Sequence, residues 1–204
     1  MYSPKHYQEQ RMDLVLEVVE NESFATVLTE GRTEQITHLP MQLVRNPDGT
    51  FEFLSHCARA NPHWKELAEV GRVKLIFNGP HAYVSPAWYV PAPDDVPTWN
   101  YAVVHAVGDF EIINDPVAVA SEMNTFVTHF ENAAGTGWKL PANEQAVLGM
   151  MRAIVVFRIK NVSFEAKFKM SQKEEPANRA NTIAELNKNP LTAPLAELMK
   201  KVML

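Results

Sequence analysis

A proline-rich, aromatic stretch at residues 79–101, GPHAYVSPAWYVPAPDDVPTWNY, limits most strongly what this chain can fold into. It contains five prolines, two tryptophans, three tyrosines and one histidine, and its only Asp, Glu, Lys or Arg residues are Asp94 and Asp95. Prolines remove backbone donors and fix φ angles, so the stretch cannot form one continuous helix or a central strand. Two interpretations fit such a stiff connection. It is the wall of a site for a planar ligand, or a rigid arm that covers a partner subunit.

The composition fits a cytoplasmic globular protein. Of the 204 residues 46% are hydrophobic and 21% are charged, so a core can form without disulfide or metal cross-links. The net charge of −5 argues against a general electrostatic grip on DNA, although a local basic patch would still allow DNA binding. Cys57 is the single cysteine, which fits a reducing compartment. No apolar run approaches the ~20 residues of a membrane span, and the first residues lack the apolar core of a signal peptide.

The apolar patterns predict seven or eight strands in hairpin-like succession, with helices at the periphery. Residues 73–77 and 82–84 are expected to be separate strands around an Asn78-Gly79 turn. Residues 98–107 and 110–113 are expected to be separated by a turn at Gly108-Asp109. Helices are predicted over residues 5–20, 61–68, 115–131, 141–151, 178–188 and from 194 onward. This succession is typical of an α+β fold with a mostly antiparallel β-barrel, and no Gly-rich nucleotide motif is present.

A first candidate site combines Ser55, His56, Arg59 and Asn61, at the end of one predicted strand and the start of a helix. A helix N-terminus offers backbone N–H groups, and an arginine adds a fork of two donors, so the group suits a phosphate. An ordinary helix cap with a surface arginine explains the same residues. The spacing alone favours this simpler explanation.

Histidines form a second candidate group: His38, His56, His63, His81 and His105. A metal or haem site needs imidazoles that converge on one point, but no HxH or HExxH spacing occurs. Each of these residues lies near a predicted strand end or turn, where a polar ring is easily satisfied. Cys57 follows His56, but neighbours on a strand face opposite sides, so a buried structural thiol is expected rather than a nucleophile.

A third candidate is the segment Lys167-Phe-Lys-Met-Ser-Gln172. Its two lysines could bind an anion or the edge of a heterocycle, or they could simply keep an edge strand soluble. The aromatic residues of the proline-rich stretch are similarly ambiguous. They could stack on a flat ring or anchor a subunit interface.

Several sequence blocks resemble one known family, the PaiB-type FMN-binding negative transcriptional regulators. They are MYSPKHY, FATVLT, THLPMQL, HCARANPHW, IFNGPHAYVSPAWY, VPTWNYAVVHAVG and FEAKFKMSQ, and they occur in the family's order from Met1 to about Gln172. Cys57 and Met170 depart from the aliphatic residues expected at those positions. The tail after about residue 189 lies outside the blocks.

The resemblance implies a flavin-reductase-like split β-barrel, a homodimer and an FMN site at the subunit interface. It also implies a split-barrel domain over residues 1–172, with residues 173–204 as a helical extension packed on the dimer or exchanged across it. Residues 86–97 would then reach across the dimer. The implied flavin contacts are His38 and Leu39 for the ring edge, His56, Arg59 and Asn61 for the phosphate, and in addition Trp99, Asn100, Tyr101, Lys169, Ser171 and Gln172.

The family name implies transcriptional repression, yet the sequence has no helix-turn-helix signature and no basic recognition helix. Promoter DNA is therefore a partner either directly or indirectly. One alternative is a flavin-dependent oxidoreductase, in which His81 or Tyr101 would be the first candidates for a proton donor. A second alternative is a haem-binding split barrel with a histidine as the axial ligand.

Overall fold

A computed structural model describes residues 1–32, 34–91, 96–142 and 144–203. Its eight strands are β1 (Gln8–Glu9), β2 (Phe24–Thr29), β3 (Ile36–Pro40), β4 (Gln42–Arg45), β5 (Phe51–Ala58), β6 (Arg72–Val84), β7 (Thr98–Ile113) and β8 (Ile154–Lys169). The six α-helices of these ranges are α1 (Met12–Asn21), α2 (His63–Val70), α3 (Pro116–Ala134), α4 (Gln145–Met151), α5 (Pro176–Leu186) and α6 (Ala193–Val202). Short 3-10 turns occupy Lys5–Tyr7 and Pro86–Trp88.

The strands form one sheet in the order β3-β2-β6-β7-β8-β5-β4, and β1 pairs with β8. Antiparallel pairing joins β2 to β3 and β6, β5 to β4 and β8, and β1 to β8. Strand β3 ends at Pro40 and β4 begins at Gln42, so Met41 separates the two strands. The predicted number of strands and their antiparallel character are confirmed.

Two of the predicted turns are wrong, because β6 and β7 run without interruption through Gly79 and Gly108. These glycines permit the close approach of neighbouring segments of the same chain, and they do not reverse its direction. A Cβ at Gly79 would lie 2.9 Å from Val18 Cγ1, and a Cβ at Gly108 would lie 2.6 Å from Ile159 Cγ2. A glycine inside a strand is compatible with either role, and only the packing decides between them.

The helix predicted over residues 5–20 begins only at Met12. Before it, Gln8 and Glu9 pair with Lys167 and Ala166 as a short strand. Arg11 donates to both carboxylate oxygens of Glu9, at 3.0 and 2.9 Å, which favours an extended conformation for these residues. The strand-like runs at residues 153–159 and 162–170 are separated in the sequence by a short gap at residues 160 and 161. Strand β8 continues through it, with Asn161 in the left-handed region at φ 51°.

The described residues divide into two compact units. The first consists of Met1–Glu22, Phe77–His105 and Glu165–Leu204, and the second of Ser23–Ile76 and Ala106–Phe164. Large buried side chains of the first unit are Phe77, Phe168, Met170, Leu186, Leu195 and Met199. In the second, Leu54, Met123, Phe126 and Val156 form an apolar cluster between the sheet and α3. The expected division at residues 172 and 173 stays a prediction.

The start of the helix predicted over residues 115–131 is confirmed. The Asp115 carboxylate accepts from the backbone N–H of Ala118 at 2.8 Å and caps α3, with Pro116 as the first helical residue. Cys57 is buried, as predicted.

Val90, in the proline-rich stretch, donates its N–H to the Asn178 side chain at 2.8 Å. Asp94 and Asp95 lie outside the described residues. No helix in the described part of the chain is long and apolar enough to cross a membrane.

Candidate functional site

The THLP and ARANPH sequence blocks meet in the second unit, at a place that we call the β3–β5 corner. It comprises the side chains of Thr37, Ser55, Asn61 and His63, with the adjoining His38, Leu39 and Arg59. Asn61 donates its amide to the Thr37 hydroxyl at 3.2 Å, and the Ser55 hydroxyl donates to the Pro40 carbonyl at 2.7 Å. Two blocks that are separated in the sequence are therefore held together by direct hydrogen bonds.

His63 is the buried residue at the centre of the hydrogen bonds in the β3–β5 corner. It is 2% exposed, and its Nδ1 and Nε2 atoms lie 2.8 Å from the Thr37 hydroxyl and 3.2 Å from the Thr29 hydroxyl. Burial lowers the pKa of its imidazole, which favours the neutral form of the ring. The backbone N–H of His63 also donates to Asn61 Oδ1 at 3.0 Å. His63 thus links β2, β3 and the start of α2 by a polar network.

His38 and Leu39 lie on opposite faces of β3, as neighbouring strand residues must. His38 is exposed, and its ring stacks on that of Phe24, with centroids 6.3 Å apart and planes inclined by 25°. Leu39 is half-buried. Because β3 is the terminal strand in the sheet order, one side of its backbone pairs with no other strand of the described residues. The block therefore offers an exposed ring pair and main-chain hydrogen-bonding groups.

Arg59 is exposed, and backbone carbonyls fix the orientation of its guanidinium. Nε donates to the Arg152 carbonyl at 2.9 Å, and Nη2 donates to the Ile154 carbonyl at 2.7 Å. Nη1 has no protein acceptor within the described residues. A guanidinium held at one edge with donors remaining at the other suits an anionic ligand.

His56 does not project in the same direction as Ser55, its neighbour on β5. Its ring packs edge-on against Phe126 of α3, with centroids 5.1 Å apart. Its Nδ1 is buried without a hydrogen-bond partner among the described residues, and burial lowers the pKa of the ring. The structure thus separates the His56 side chain from the polar network of the corner. Its predicted phosphate contact stays a prediction.

A second candidate place, which we call the lysine groove, lies in the first unit. It has a volume of about 630 Å³. Its lining includes Trp99, Tyr101 and Lys169, all predicted from sequence, together with Tyr2, Pro4, His6, Tyr7, Thr98, Lys167 and Lys173. The N-terminal members were missed, because only the pairing of β1 with β8 brings the first residues of the chain beside the end of β8.

Lysines and aromatic rings alternate within the lysine groove. The Lys167 ammonium lies 5.5 Å from the ring centroid of Tyr2 and 5.4 Å from that of Tyr101, and it donates to the Tyr2 carbonyl at 3.1 Å. Lys169 donates to the Thr98 hydroxyl. The lysines predicted to lie on a polar strand face therefore line a concave surface together with flat rings.

Three other residues predicted as flavin contacts have their side chains engaged inside the protein. Asn100 is fully buried and donates to the Ser171 hydroxyl at 2.8 Å, while its own Oδ1 has no partner among the described residues. The Gln172 amide accepts from the Met170 N–H at 2.7 Å and donates to the Phe168 carbonyl at 2.5 Å. These bonds shape the turn after β8, where Ser171 has φ 60°. Direct flavin contacts by these three side chains stay a prediction.

A shallow hollow of about 660 Å³ lies beside the lysine groove and shares Trp99 and Tyr101 with it. His81 lines this hollow, with its ring centroid 6.3 Å from that of Trp99 and its Nδ1 3.1 Å from the Gly79 carbonyl. Two exposed aromatic residues, Tyr83 and Trp99, pack edge to face nearby, with centroids 6.2 Å apart. Among the described residues, no three His, Cys, Asp or Glu side chains are grouped so that they could hold a metal ion.

Two solved structures show which fold this chain has. A flavocytochrome, Anf3 from Azotobacter vinelandii, matches with a TM-score of 0.58 and 16% identity, over 85% of this chain and 75% of that chain. The FAD and heme binding protein from Mycobacterium smegmatis matches with a TM-score of 0.56 and 16% identity, over 85% and 78% of the two chains. The fold is the split β-barrel of flavin-binding proteins, which confirms the predicted α+β, mostly antiparallel split barrel with peripheral helices.

The family follows from sequence matches. Residues 1–162 match the family model described as "Putative FMN-binding domain". The "Protease synthase and sporulation protein PAI 2" of Bacillus subtilis is 30% identical over 205 residues, which cover 98% of this chain and 97% of that protein. The chain belongs to this FMN-binding family, and FMN is its cofactor.

The residues of the β3–β5 corner fit the chemistry of FMN, which joins a planar ring with polar edges to a phosphate. The outer side of β3, which pairs with no other strand of the described residues, has main-chain groups of the kind that can bind the edge of such a ring. Asn61 and the fixed Arg59 guanidinium supply donors of the kind that hold a phosphate. The lysine groove offers a similar chemistry with ammonium groups and aromatic rings. The described residues thus provide two places suited to a ring with an attached anion.

Proposed function

We propose that this protein is a homodimeric, cytoplasmic FMN-binding regulator of transcription, with FMN held at the β3–β5 corner. Similarity to the Bacillus subtilis protein over 98% of this chain supports the regulatory role. The observation that carries the placement of FMN is the hydrogen bond between Asn61 and Thr37, at 3.2 Å, which joins the two sequence blocks. Bound FMN supplies hydride or electron transfer, and the protein supplies binding and orientation.

Each part of the corner has a distinct task in this proposal. The main chain at His38 and Leu39 binds the ring edge, and the exposed rings of Phe24 and His38 provide a flat aromatic surface. Arg59 and Asn61 bind the phosphate. His63 acts as a positioning residue, because its bonds to two threonines fix β3 relative to the start of α2.

Replacement of the arginine tests the phosphate contact. We expect Arg59→Ala to weaken FMN binding about tenfold or more, since a charge-assisted hydrogen bond to an anion contributes about 1.5–3 kcal/mol. The measurement is quenching of FMN fluorescence on titration with protein. Arg32→Ala is the matched control, because Arg32 lies in the same unit and pairs with the exposed Glu69 at 2.9 Å. Equal FMN affinities for both variants would exclude Arg59 from the site.

The C-terminal helices do not supply an obvious DNA-reading surface. Lys188 pairs with Glu185 at 2.6 Å, Lys200 pairs with Glu197 at 2.6 Å, and Lys201 pairs with Glu17 at 2.5 Å. Carboxylates within hydrogen-bond distance oppose the neutralisation of DNA phosphates. We therefore propose that regulation acts indirectly. In a gel-shift assay with promoter DNA at moderate salt, retardation of the DNA by the FMN-loaded protein would contradict this part of the proposal.

The proposed homodimer has a separate test. Tyr83 and Trp99 are 47% and 53% exposed on neighbouring strands, and large exposed aromatic residues are enriched at subunit interfaces. We expect light scattering at micromolar concentration to give the mass of two 23.0 kDa chains. A monomer mass over that range would rule out the dimer without affecting the test at Arg59.

A flavin-dependent oxidoreductase is the second candidate function, and the hollow beside Trp99 favours it. His81 and Tyr101 both line this hollow, so a proton-transferring group would be accessible to a bound substrate. The assay is oxidation of NADH by FMN-loaded protein at 340 nm, compared between the unaltered chain and His81→Gln. NADH turnover that depends on His81 would support the oxidoreductase function. If no turnover occurs with several electron acceptors, the regulatory function remains as the proposal. An absorption spectrum of the purified protein tests the haem alternative through a Soret band.

A further inference from the structure

The lysine groove carries positive charges that have no ion-pair partner in the described part of the chain. Three lysines, Lys167, Lys169 and Lys173, and the imidazole of His6 line it, and no carboxylate is part of the lining. Within the described residues none of the three lysines forms an ion pair. Four of the other eight lysines do form ion pairs there, among them Lys160, whose ammonium lies 2.8 Å from Glu111. Glu174 is near enough to raise the pKa of Tyr7, after the larger effect of burial.

The walls of the groove are flat and aromatic. Tyr2, Tyr7, Trp99 and Tyr101 line it, and Tyr2 and Trp99 are exposed. The Lys167 ammonium lies between 5.4 and 5.5 Å from the ring centroids of Tyr101 and Tyr2, within the range of cation–π contact. Positive charges next to aromatic surfaces are the combination that binds a base and a phosphate together.

We propose that the lysine groove is a second ligand site, which takes a nucleoside phosphate. The ammonium groups of Lys169 and Lys173 bind the phosphate, and the rings of Trp99 and Tyr101 bind the base. The groove has a volume of about 630 Å³ and is open to solvent, so a bound nucleotide would stay partly exposed. No dedicated acid or base is needed for this role, which is binding alone.

This inference rests on the proposed placement of FMN at the β3–β5 corner. The corner draws on the strand edge of β3, Asn61 and Arg59, whereas the groove draws on Trp99, Tyr101 and lysines of β8 and the turn after it. The sequence resemblance implied flavin contacts by Trp99, Tyr101 and Lys169. The competing outcome is therefore that FMN itself occupies the groove.

Isothermal titration of the FMN-loaded protein with AMP tests the proposal. We expect AMP to bind, and adenosine, which lacks the phosphate, to bind about tenfold more weakly or worse. Lys169→Gln and Lys173→Gln should each weaken AMP binding about tenfold. Lys173 is exposed, so its replacement leaves folding intact. Lys160→Gln is the matched control on the same strand β8 and should bind AMP like the unaltered chain.

The outcomes separate this inference from the proposed function. Arg59→Ala should weaken FMN binding and leave AMP binding unchanged, and Lys173→Gln should do the opposite. The second site is refuted if AMP gives no binding heat, if the groove variants bind AMP as the control does, or if adenosine binds equally well. Release of FMN by AMP, with both Lys169→Gln and Lys173→Gln weakening FMN, would assign the groove to the cofactor.

Discussion

Replacement of Gly108 by alanine tests the close packing that keeps β7 continuous. An added Cβ would lie 2.6 Å from Ile159 Cγ2 and 2.6 Å from the Lys160 carbonyl oxygen. The isoleucine side chain can turn, but the carbonyl oxygen belongs to the backbone of β8 and can move only if the strand moves. Overpacking of this kind typically costs about 1–3 kcal/mol, and we expect a value near ~3 kcal/mol because one of the two contacts is with backbone.

The expected change in melting temperature follows from the length of the chain. An unfolding entropy of about 2.1 cal/mol/K per residue gives roughly 0.43 kcal/mol/K for a chain of this length. A loss of ~3 kcal/mol therefore lowers the melting temperature by about 7 °C. Circular dichroism during heating, with urea unfolding as a second measurement, provides the assay.

Gly149→Ala is the matched control. Gly149 lies in α4, and an added Cβ there meets no atom within 4 Å. Alanine is a better helix former than glycine by about 0.8–1 kcal/mol, so this variant should melt about 2 °C higher. If Gly108→Ala melts within about 1 °C of the unaltered chain, β7 and β8 do not approach as closely at this point as the structure shows.

Two further predictions concern polar groups in the second unit. Burial holds the pKa of His56 below its ordinary value of 6.5, so the unfolded chain takes up a proton first as the pH falls. The contribution of the neutral His56 ring to the unfolding free energy is therefore fully present above pH 6.5 and is lost as the pH falls toward the lowered pKa. Urea unfolding at pH 7.5 and 5.5 should show that the unfolding free energy falls less for His56→Leu than for the unaltered chain. An equal fall for both proteins would contradict this. Thr37→Val should lower the unfolding free energy by about 1–3 kcal/mol, because Asn61 and His63 each lose a hydrogen-bond partner. Urea unfolding measures this loss, and Thr26→Val, on the opposite face of the same strand pair, is the control.

The sequence allowed the fold class to be predicted, because alternation along strands and caps at helix starts are local signals. Asp115 and Pro116 illustrate this, since the cap and the first helical residue can be recognised from two neighbouring positions. The roles of Gly79 and Gly108 could not be predicted, because a glycine that avoids a clash and a glycine that reverses the chain look alike. The difference lies in Val18 and Ile159, which are distant in sequence.

The candidate site shows the same limit. The block with Arg59 and Asn61 could be recognised as a donor set, but its connection to Thr37 and His63 depends on tertiary contacts. Asn100 illustrates the opposite case, in which a polar residue in a distinctive block is fully buried and bonded to Ser171. The resemblance located the blocks, and only the structure distinguishes exposed side chains from internal ones.

The buried Cys57 gives the protein a natural indicator of local opening. The thiol is 5% exposed and its residue pairs with Val155 of β8, and burial raises its pKa, so the reactive thiolate is scarce in the closed sheet. Because the chain has no other thiol, the rate of alkylation reports on a single place. Cys57 lies two residues before Arg59, so a ligand that stabilises the end of β5 should slow the alkylation of Cys57. The measurement needs no engineered cysteine.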